Sequence, residues 1–166
     1  MVDPRRQRWT LGVLLLCSGL ALSSLVPGGP IENRDFSHIA PALLLLFNVL
    51  LTALGLGSFL LAVMILRGVA RAPMLVFGAG VTYLLVYGVD LLGWFPPTPT
   101  PMSRPLVAIE MLGIALAVPM IWLTAQGSED ESRVPLAMAF HPAVVTALAV
   151  VATSIILFST LAAMGE

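Results

Sequence analysis

The sequence predicts an all-α integral membrane protein: one domain, residues 1–166, forming a bundle of five transmembrane helices with the N-terminus inside and the C-terminus outside. The first observation behind this prediction is composition, since 58% of the residues are hydrophobic and only 10% are charged. Soluble domains carry roughly 25% charged residues, so these few charges cannot cover a water-exposed surface. The second is that the apolar residues fall into long segments separated by helix breakers. The composition therefore indicates an outer surface that faces lipid.

Five segments approach or exceed the roughly 20 apolar residues that a spanning helix needs. Prolines open four of them, at the helix position where a missing N–H is tolerated. The first segment has an alternative interpretation as a cleaved signal peptide, because a basic start precedes an apolar stretch with small residues near Ala21. Cleavage there would leave four helices. The predicted helices are 9–26, 41–66, 73–95, 105–125 and 142–164.

Arginine placement predicts the orientation. With the N-terminus inside, six arginines lie on the cytoplasmic side and two, Arg34 and Arg104, on the outer side. The positive-inside rule favours this arrangement. We therefore predict a multi-pass protein of a bacterial inner (plasma) membrane. The six inside residues are Arg5, Arg6, Arg8, Arg67, Arg71 and Arg133.

Two carboxylates lie within predicted membrane segments, Asp90 in the third and Glu110 in the fourth. A charge at the bilayer centre costs at least about 2.5 kcal/mol, so such an acid is a functional candidate. In the predicted topology both acids lie about 7 Å below the outer face, on consecutive helices. We therefore expect them to share a pocket near that face, as candidates for binding or for handling a proton.

Other polar residues collect in the same half of the membrane. Asn48 lies on the second helix, and Tyr83, Tyr87 and Asp90 form one stripe on the third because their spacing is i, i+4, i+7. We expect Asn48 and Tyr87 to join the acids in the floor of the pocket. The alternative is structural: each acid pairs with Arg34 or Arg104, or accepts hydrogen bonds from Tyr87 and Asn48. The segment from Glu32 to His38 is then an ordinary solvated loop. The candidates for a lid are the outer-loop residues Glu32, Arg34, Asp35, His38 and Arg104.

The sequence predicts no cofactor and no metal. Glu32, Asp35 and His38 have the spacing i, i+3, i+6, but this matches no known metal motif. His38 and His141 would lie about 30 Å apart across the hydrocarbon, so they cannot share a haem, and only a haem on His38 alone stays open. The net charge of −1 gives nucleic-acid binding no support, and one cysteine, Cys17, cannot form an intramolecular disulfide.

Small residues at a spacing of four predict where helices pack closely. Four pairs have this spacing, one on each helix from the second to the fifth. They are Ala53 with Gly57, Gly78 with Thr82, Gly113 with Ala117, and Ala143 with Ala147.

No recognisable motif for nucleophilic catalysis or dinucleotide binding occurs in the chain. Two functional classes survive. We predict first a non-enzymatic accessory or structural subunit of a membrane complex, with the lipid bilayer and either protein partners or a second copy as its contacts. The alternative is a small proton- or cation-coupled transporter or channel that uses the carboxylate pocket. A third hypothesis is an intramembrane enzyme acting on a lipid headgroup, with Glu32, Asp35 and His38 as its only plausible chemistry.

Overall fold

A computed structural model describes residues 3–25, 27, 29–127 and 142–164. This part of the chain contains five α-helices and no β-strand, so the predicted all-α bundle is confirmed. The predictions that concern residue 26, Arg133 and His141 lie outside the described residues. The helices are α1 (Pro4–Ser23), α2 (Pro41–Leu66), α3 (Ala72–Leu91), α4 (Arg104–Ala125) and α5 (Pro142–Met164).

Five helix ends differ from the predicted segments: both ends of α1, both ends of α3 and the start of α4. The start of α1 and the end of α3 have a local cause. The helix α1 begins at Pro4, before its apolar stretch, because the Asp3 side chain accepts a hydrogen bond from the backbone N–H of Arg5 and caps the helix. The helix α3 ends at Leu91 and does not continue to residue 95. Gly93 follows with a φ of 67°, a left-handed conformation that terminates helices and favours glycine.

Four of the five helices are long and apolar enough to cross a membrane, judged by length and composition. The helix α1 is not among them. Five spanning helices were predicted, and four of them are candidates by these criteria. Its first turns carry Arg5, Arg6 and Arg8, which lower its hydropathy. The four candidate spans are Pro41–Leu66, Ala72–Leu91, Arg104–Ala125 and Thr146–Met164.

The packing places α1 within the bundle. The helix α1 lies against α2 and α4, α3 lies against α4 and α2, and α5 lies mainly against α2. The Gln7 amide Nε2 donates a hydrogen bond of 2.6 Å to the Leu123 backbone oxygen, which ties the start of α1 to the end of α4. The core between these helices is fully buried at Leu15, Val76, Tyr83, Ala117 and Met120.

Only one of the four predicted small-residue pairs is a packing seam within the described part of the chain. Gly113 and Ala117 are both buried, and a Cβ on Gly113 would collide with the Tyr87 ring. The other three pairs form no seam inside the described part of the chain: no atom lies within 4 Å of a Cβ built on Gly57 or Gly78, and Ala147 is exposed. A helix rich in small residues carries several such stripes, and only packing selects the one that is used.

The loops 24–40 and 92–103 cover one end of the bundle, where α1, α3 and α5 end and α2 and α4 begin. We call this the Arg34 end. The Ser103 hydroxyl donates a hydrogen bond of 3.2 Å to the Ile31 backbone oxygen and joins the two loops. Phe36 is buried in a small apolar cluster that includes Leu44 of α2 and Ala163 of α5. The first loop is therefore anchored onto the helix ends.

Candidate functional site

Arg34 is the centre of a buried ion cluster. Its guanidinium meets Asp90 with two hydrogen bonds, Nη1 to Oδ1 at 2.7 Å and Nη2 to Oδ2 at 2.8 Å. It also meets Glu32, through Nε to Oε1 at 2.9 Å and Nη2 to Oε2 at 2.5 Å. The planar fork of arginine suits such two-point contacts with a carboxylate. A residue from the α1–α2 loop thus binds both its own loop and the end of α3.

The surroundings of Arg34 keep it charged. Its side chain is 2% exposed, and the Phe36 ring lies 5.3 Å from its guanidinium carbon. Burial by itself lowers the pKa of Arg34, but the hydrogen bonds and charges of Asp90 and Glu32 raise that pKa above its usual value. Arg34 therefore supplies a permanent positive charge to the cluster.

The helix α3 directs its polar stripe into the bundle. Tyr83, Tyr87 and Asp90 are all buried, and the two tyrosine rings stack with centroids 5.9 Å apart. The helix spacing of i, i+4, i+7 aligns the three side chains on one face. Asp90 lies in the last turn, where a helix disfavours negative charge, and Arg34 offsets this unfavourable position.

Glu110 is the most buried acid of the site, at 1% exposure. Among the described residues, no N–H or O–H donor meets its Oε2, and the Tyr87 hydroxyl is likewise buried without a partner. The Glu110 side chain lies within hydrogen-bonding reach of the Asp90 carboxyl group. Two ionised carboxylates are both acceptors, so a hydrogen bond between them requires one proton. This geometry is suited to holding a proton.

A cavity of about 50 Å³ lies beneath Arg34. A cavity needs a volume of at least about 10–15 Å³ to hold one water molecule, so this cavity has room for a few groups of that size. Apolar side chains make most of its wall, among them Leu44, Phe47 and Val86. The polar and charged residues that line it are Glu32, Arg34, Asn48, Tyr87, Asp90 and Glu110.

A second cavity, of about 180 Å³, lies between α1, α2 and α5. Asn48 lines both cavities, and its Nδ2 donates a hydrogen bond of 3.2 Å to the Thr160 hydroxyl. The hydroxyls of Ser23, Thr52 and Ser159 lie along the second cavity among apolar residues. The residues shared by the two cavities are Leu22, Leu25, Pro27, Asn48 and Leu51.

The structure brings together six of the ten candidate residues. Asp90, Glu110, Asn48 and Tyr87 line one cavity, as expected from their common depth, and Glu32 and Arg34 cover it. Tyr83 lies deeper and does not line this cavity. Its hydroxyl lies 2.8 Å from the Ser58 hydroxyl.

Three of the five lid candidates do not line the cavity, which corrects the predicted lid. The loop turns alternate side chains in opposite directions, so Asp35 and His38 are exposed while Arg34 is buried. The Ser37 backbone N–H donates to Asp35 at 2.8 Å and lowers the pKa of that carboxyl. His38 Nε2 lies 2.8 Å from the Pro97 oxygen, and Arg104 is exposed at the start of α4.

The spacing of Glu32, Asp35 and His38 does not produce a metal site. This segment is not helical, so the three side chains do not share a face. In the described parts of the chain, no group of three or more His, Cys, Asp or Glu residues is placed to hold a metal ion.

Two residues that support the site were not predicted as part of it. Gly113 leaves the space that the Tyr87 ring occupies beside α4. Ser58 gives the buried Tyr83 hydroxyl a partner. A glycine three residues after an intramembrane acid is a signal that could have indicated the first, whereas no sequence spacing links Ser58 to Tyr83.

The fold and the cluster define a helical membrane protein with a buried arginine–carboxylate site at one end. Residues 7–136 match the model of a family described as a domain of unknown function, DUF8051. This match spans more than half of the chain, so the chain belongs to that family. It includes the whole ion cluster and ends before α5. No curated protein and no solved structure matches the chain.

Replacing Arg34 by methionine tests whether the ion cluster holds the fold together. The change leaves Glu32 and Asp90 buried without their cation, and breaking a buried pair in this way costs about 3–5 kcal/mol. We expect a clear fall in the free energy of unfolding of Arg34→Met in detergent. The matched control, Arg104→Met, changes an exposed arginine and should stay within about 0.5 kcal/mol. Equal stability of the two variants would contradict a structural role for the cluster.

Proposed function

We propose that this protein is a small proton- or cation-coupled transporter whose binding site is the Asp90–Glu110 carboxyl pair. The observation that carries the proposal is Glu110: a buried carboxyl group whose Oε2 meets no donor among the described residues and which lines one cavity with the Asp90 carboxyl group. A purely structural acid would be expected to meet a donor, because buried polar groups are nearly always hydrogen-bonded.

The charges around the cavity support the same proposal. One positive side chain, Arg34, lines the cavity together with three acids, Glu32, Asp90 and Glu110. Arg34 binds two of these acids directly and makes no hydrogen bond to the third. Isolated charge is expensive in an apolar environment, so the site gains stability from a proton or another cation. Uptake and release of that cation is the elementary step of a coupled transporter.

The location of the polar groups supports movement across the bundle. The cavity is next to the loops of the Arg34 end, so an ion has a short way in from that side. Deeper in the bundle follow Tyr87, Tyr83 and Ser58, and the last two are joined at 2.8 Å. Ser58 lies eight residues before the far end of α2, which corresponds to about 12 Å. Buried hydroxyls thus extend from the site towards the opposite face.

We place the protein in the plasma membrane of a bacterium, with the Arg34 end outside. The arginine distribution supports this orientation. In a Cys17→Ser background, a membrane-impermeant maleimide should label Thr100→Cys in intact cells and should not label Gln126→Cys, which lies at the end of α4. The reverse labelling would overturn the orientation.

Replacing Glu110 by glutamine tests the proton site directly. The amide keeps the size of the side chain but removes the titratable group. We expect the infrared spectrum of the purified protein to lose the C=O band of one protonated carboxyl group in Glu110→Gln. In liposomes that trap a pH-sensitive dye, proton movement driven by an imposed cation gradient should fall by about tenfold or more.

Asp35→Asn is the matched control, because it removes an exposed acid of the same end that does not line the cavity. It should keep both the infrared band and the flux. An infrared spectrum that is the same for the wild type and for Glu110→Gln would contradict the proposal, provided that both proteins unfold at the same temperature.

A second candidate function is the accessory or structural subunit, and α5 is the observation that favours it. Only 17% of the most apolar part of α5 is buried inside the protein, compared with at least 33% of the corresponding parts of the other candidate spans. Ala147 and Ser154 lie exposed at a spacing of seven, so one face of α5 presents small residues outward. Small residues allow close approach of another helix.

Affinity purification in mild detergent, followed by mass spectrometry, tests this second function. A stable subunit should recover other membrane proteins in stoichiometric amounts. We expect Ala147→Phe to reduce that recovery by about tenfold, because the larger side chain blocks close helix approach. The matched control Ala149→Phe makes the same change at an exposed position about 160° around α5 from Ala147, away from this face. Recovery of the chain alone would leave the transporter as the sole proposal.

A further inference from the structure

The acidic cavity and the larger second cavity lie on either side of Asn48. They share five lining residues, so a single molecule of suitable length would contact both. The first cavity measures about 50 Å³ and is lined by the ion cluster. The second measures about 180 Å³ and is lined mainly by apolar residues, with hydroxyls at its margin. The two chambers thus differ in both size and chemistry.

The smaller chamber has the chemistry of a cation-binding site. Glu110 and Tyr87 are each 1% exposed, and both line the chamber. Neither Glu110 Oε2 nor the Tyr87 hydroxyl has a partner among the described residues. An ammonium group carries three donors and no acceptor, so it matches a site made of carboxylate and hydroxyl oxygens. The volume of the chamber suits a head group no larger than a few water molecules.

The larger chamber has enough volume to hold an aromatic ring. An apolar cavity of about 150 Å³ in another protein holds benzene, and this chamber is slightly larger. Leu22, Leu51, Leu56 and Ile155 supply its apolar walls. A compact hydrocarbon group is therefore the occupant that its walls and volume fit. A bare metal ion or a proton would leave this chamber unused.

We propose that the two chambers bind a primary arylalkylammonium ion, with the ammonium group at Asp90 and Glu110 and the ring in the second chamber. This proposal rests on the proposed function and adds the class of the transported cation. Binding exchanges one cation for another: the ammonium enters, and the proton held between Asp90 and Glu110 leaves to water. Charge is balanced, because one positive charge replaces one positive charge.

The titratable groups that line the smaller chamber, among the described residues, come from three elements. They are Glu32 and Arg34 of the loop 24–40, Tyr87 and Asp90 of α3, and Glu110 of α4. The described residues of α1, α2 and α5 that line it are apolar, apart from the amide of Asn48. Competition between proton and ammonium is thus centred on the carboxyl pair, and affinity should fall as the pH is lowered.

Calorimetry of the purified, full-length protein in detergent with 2-phenylethylammonium tests the proposal. We expect saturable binding with release of up to about one proton per bound molecule, measured in two buffers of different ionisation enthalpy. Glu110→Gln should lose the proton release and weaken binding by about tenfold or more. Asp35→Asn should bind as the wild type does. The neutral isostere 2-phenylethanol should show only the partition into detergent that all variants share.

A second variant separates the larger chamber from the smaller one. Ile155→Trp adds bulk to the second chamber from a half-buried position on α5 and leaves the carboxyl pair intact. It should weaken the binding of 2-phenylethylammonium by about tenfold. Methylammonium, which has no ring, should bind as it does to the wild type. If the variant bound both amines more weakly by the same factor, the assignment of the ring to this chamber would be overturned.

The outcomes distinguish this inference from the proposed function. If Glu110 carries the protonated carboxyl band but 2-phenylethylammonium does not bind, the cation class is wrong and the proton site stands. If the band is absent and neither amine binds, both proposals are wrong. Binding that is equal in the wild type and in Glu110→Gln would overturn the inference as well, since it would not involve the carboxyl pair.

Discussion

The contact between Arg34 and its two carboxylates is the interaction on which the rest of this end of the protein depends. A guanidinium that is 2% exposed survives among apolar side chains only because Asp90 and Glu32 satisfy its donors. The pairing draws the loop down onto the end of α3. It thereby closes the cavity, buries Phe36 against the helix ends, and permits an acid in the last turn of α3, where the helix dipole opposes it.

The same contact also leaves the site with an excess of acid. Arg34 directs its donors to Glu32 and Asp90, and Glu110 remains beside them with Asp90 in hydrogen-bonding reach. A wholly structural cluster would be expected to end in balanced charge and to provide a donor for each buried acceptor. The proposed exchange of proton and cation follows from this imbalance. In that mechanism Arg34 stays fixed, and the carboxyl pair is the part that changes its charge.

Close helix contact positions the pair of acids. Asp90 and Glu110 lie on different helices, and they meet because α3 and α4 approach closely where Gly113 faces the Tyr87 ring. The same approach buries Tyr87, so the absence of a side chain at one position shapes the wall of the cavity. The lightly buried α5 completes the second cavity through Ile155 and Ser159. The proposed cation site therefore uses a helix that the family match does not include.

The sequence by itself determined the fold class, the five helices of the described part of the chain, and the placement of Asp90 and Glu110 near the same end of the bundle. These properties follow from local chemistry: apolar length, proline and glycine punctuation, and a rise of about 1.5 Å per residue. Tertiary structure alone decided that Arg34 rather than Arg104 joins the acids, that Asp35 and His38 face outward, and which small residues form seams. These depend on the direction in which each loop residue and each helix face turns. Helix rotation and loop conformation are set by packing between distant segments, and no periodicity along one chain encodes them.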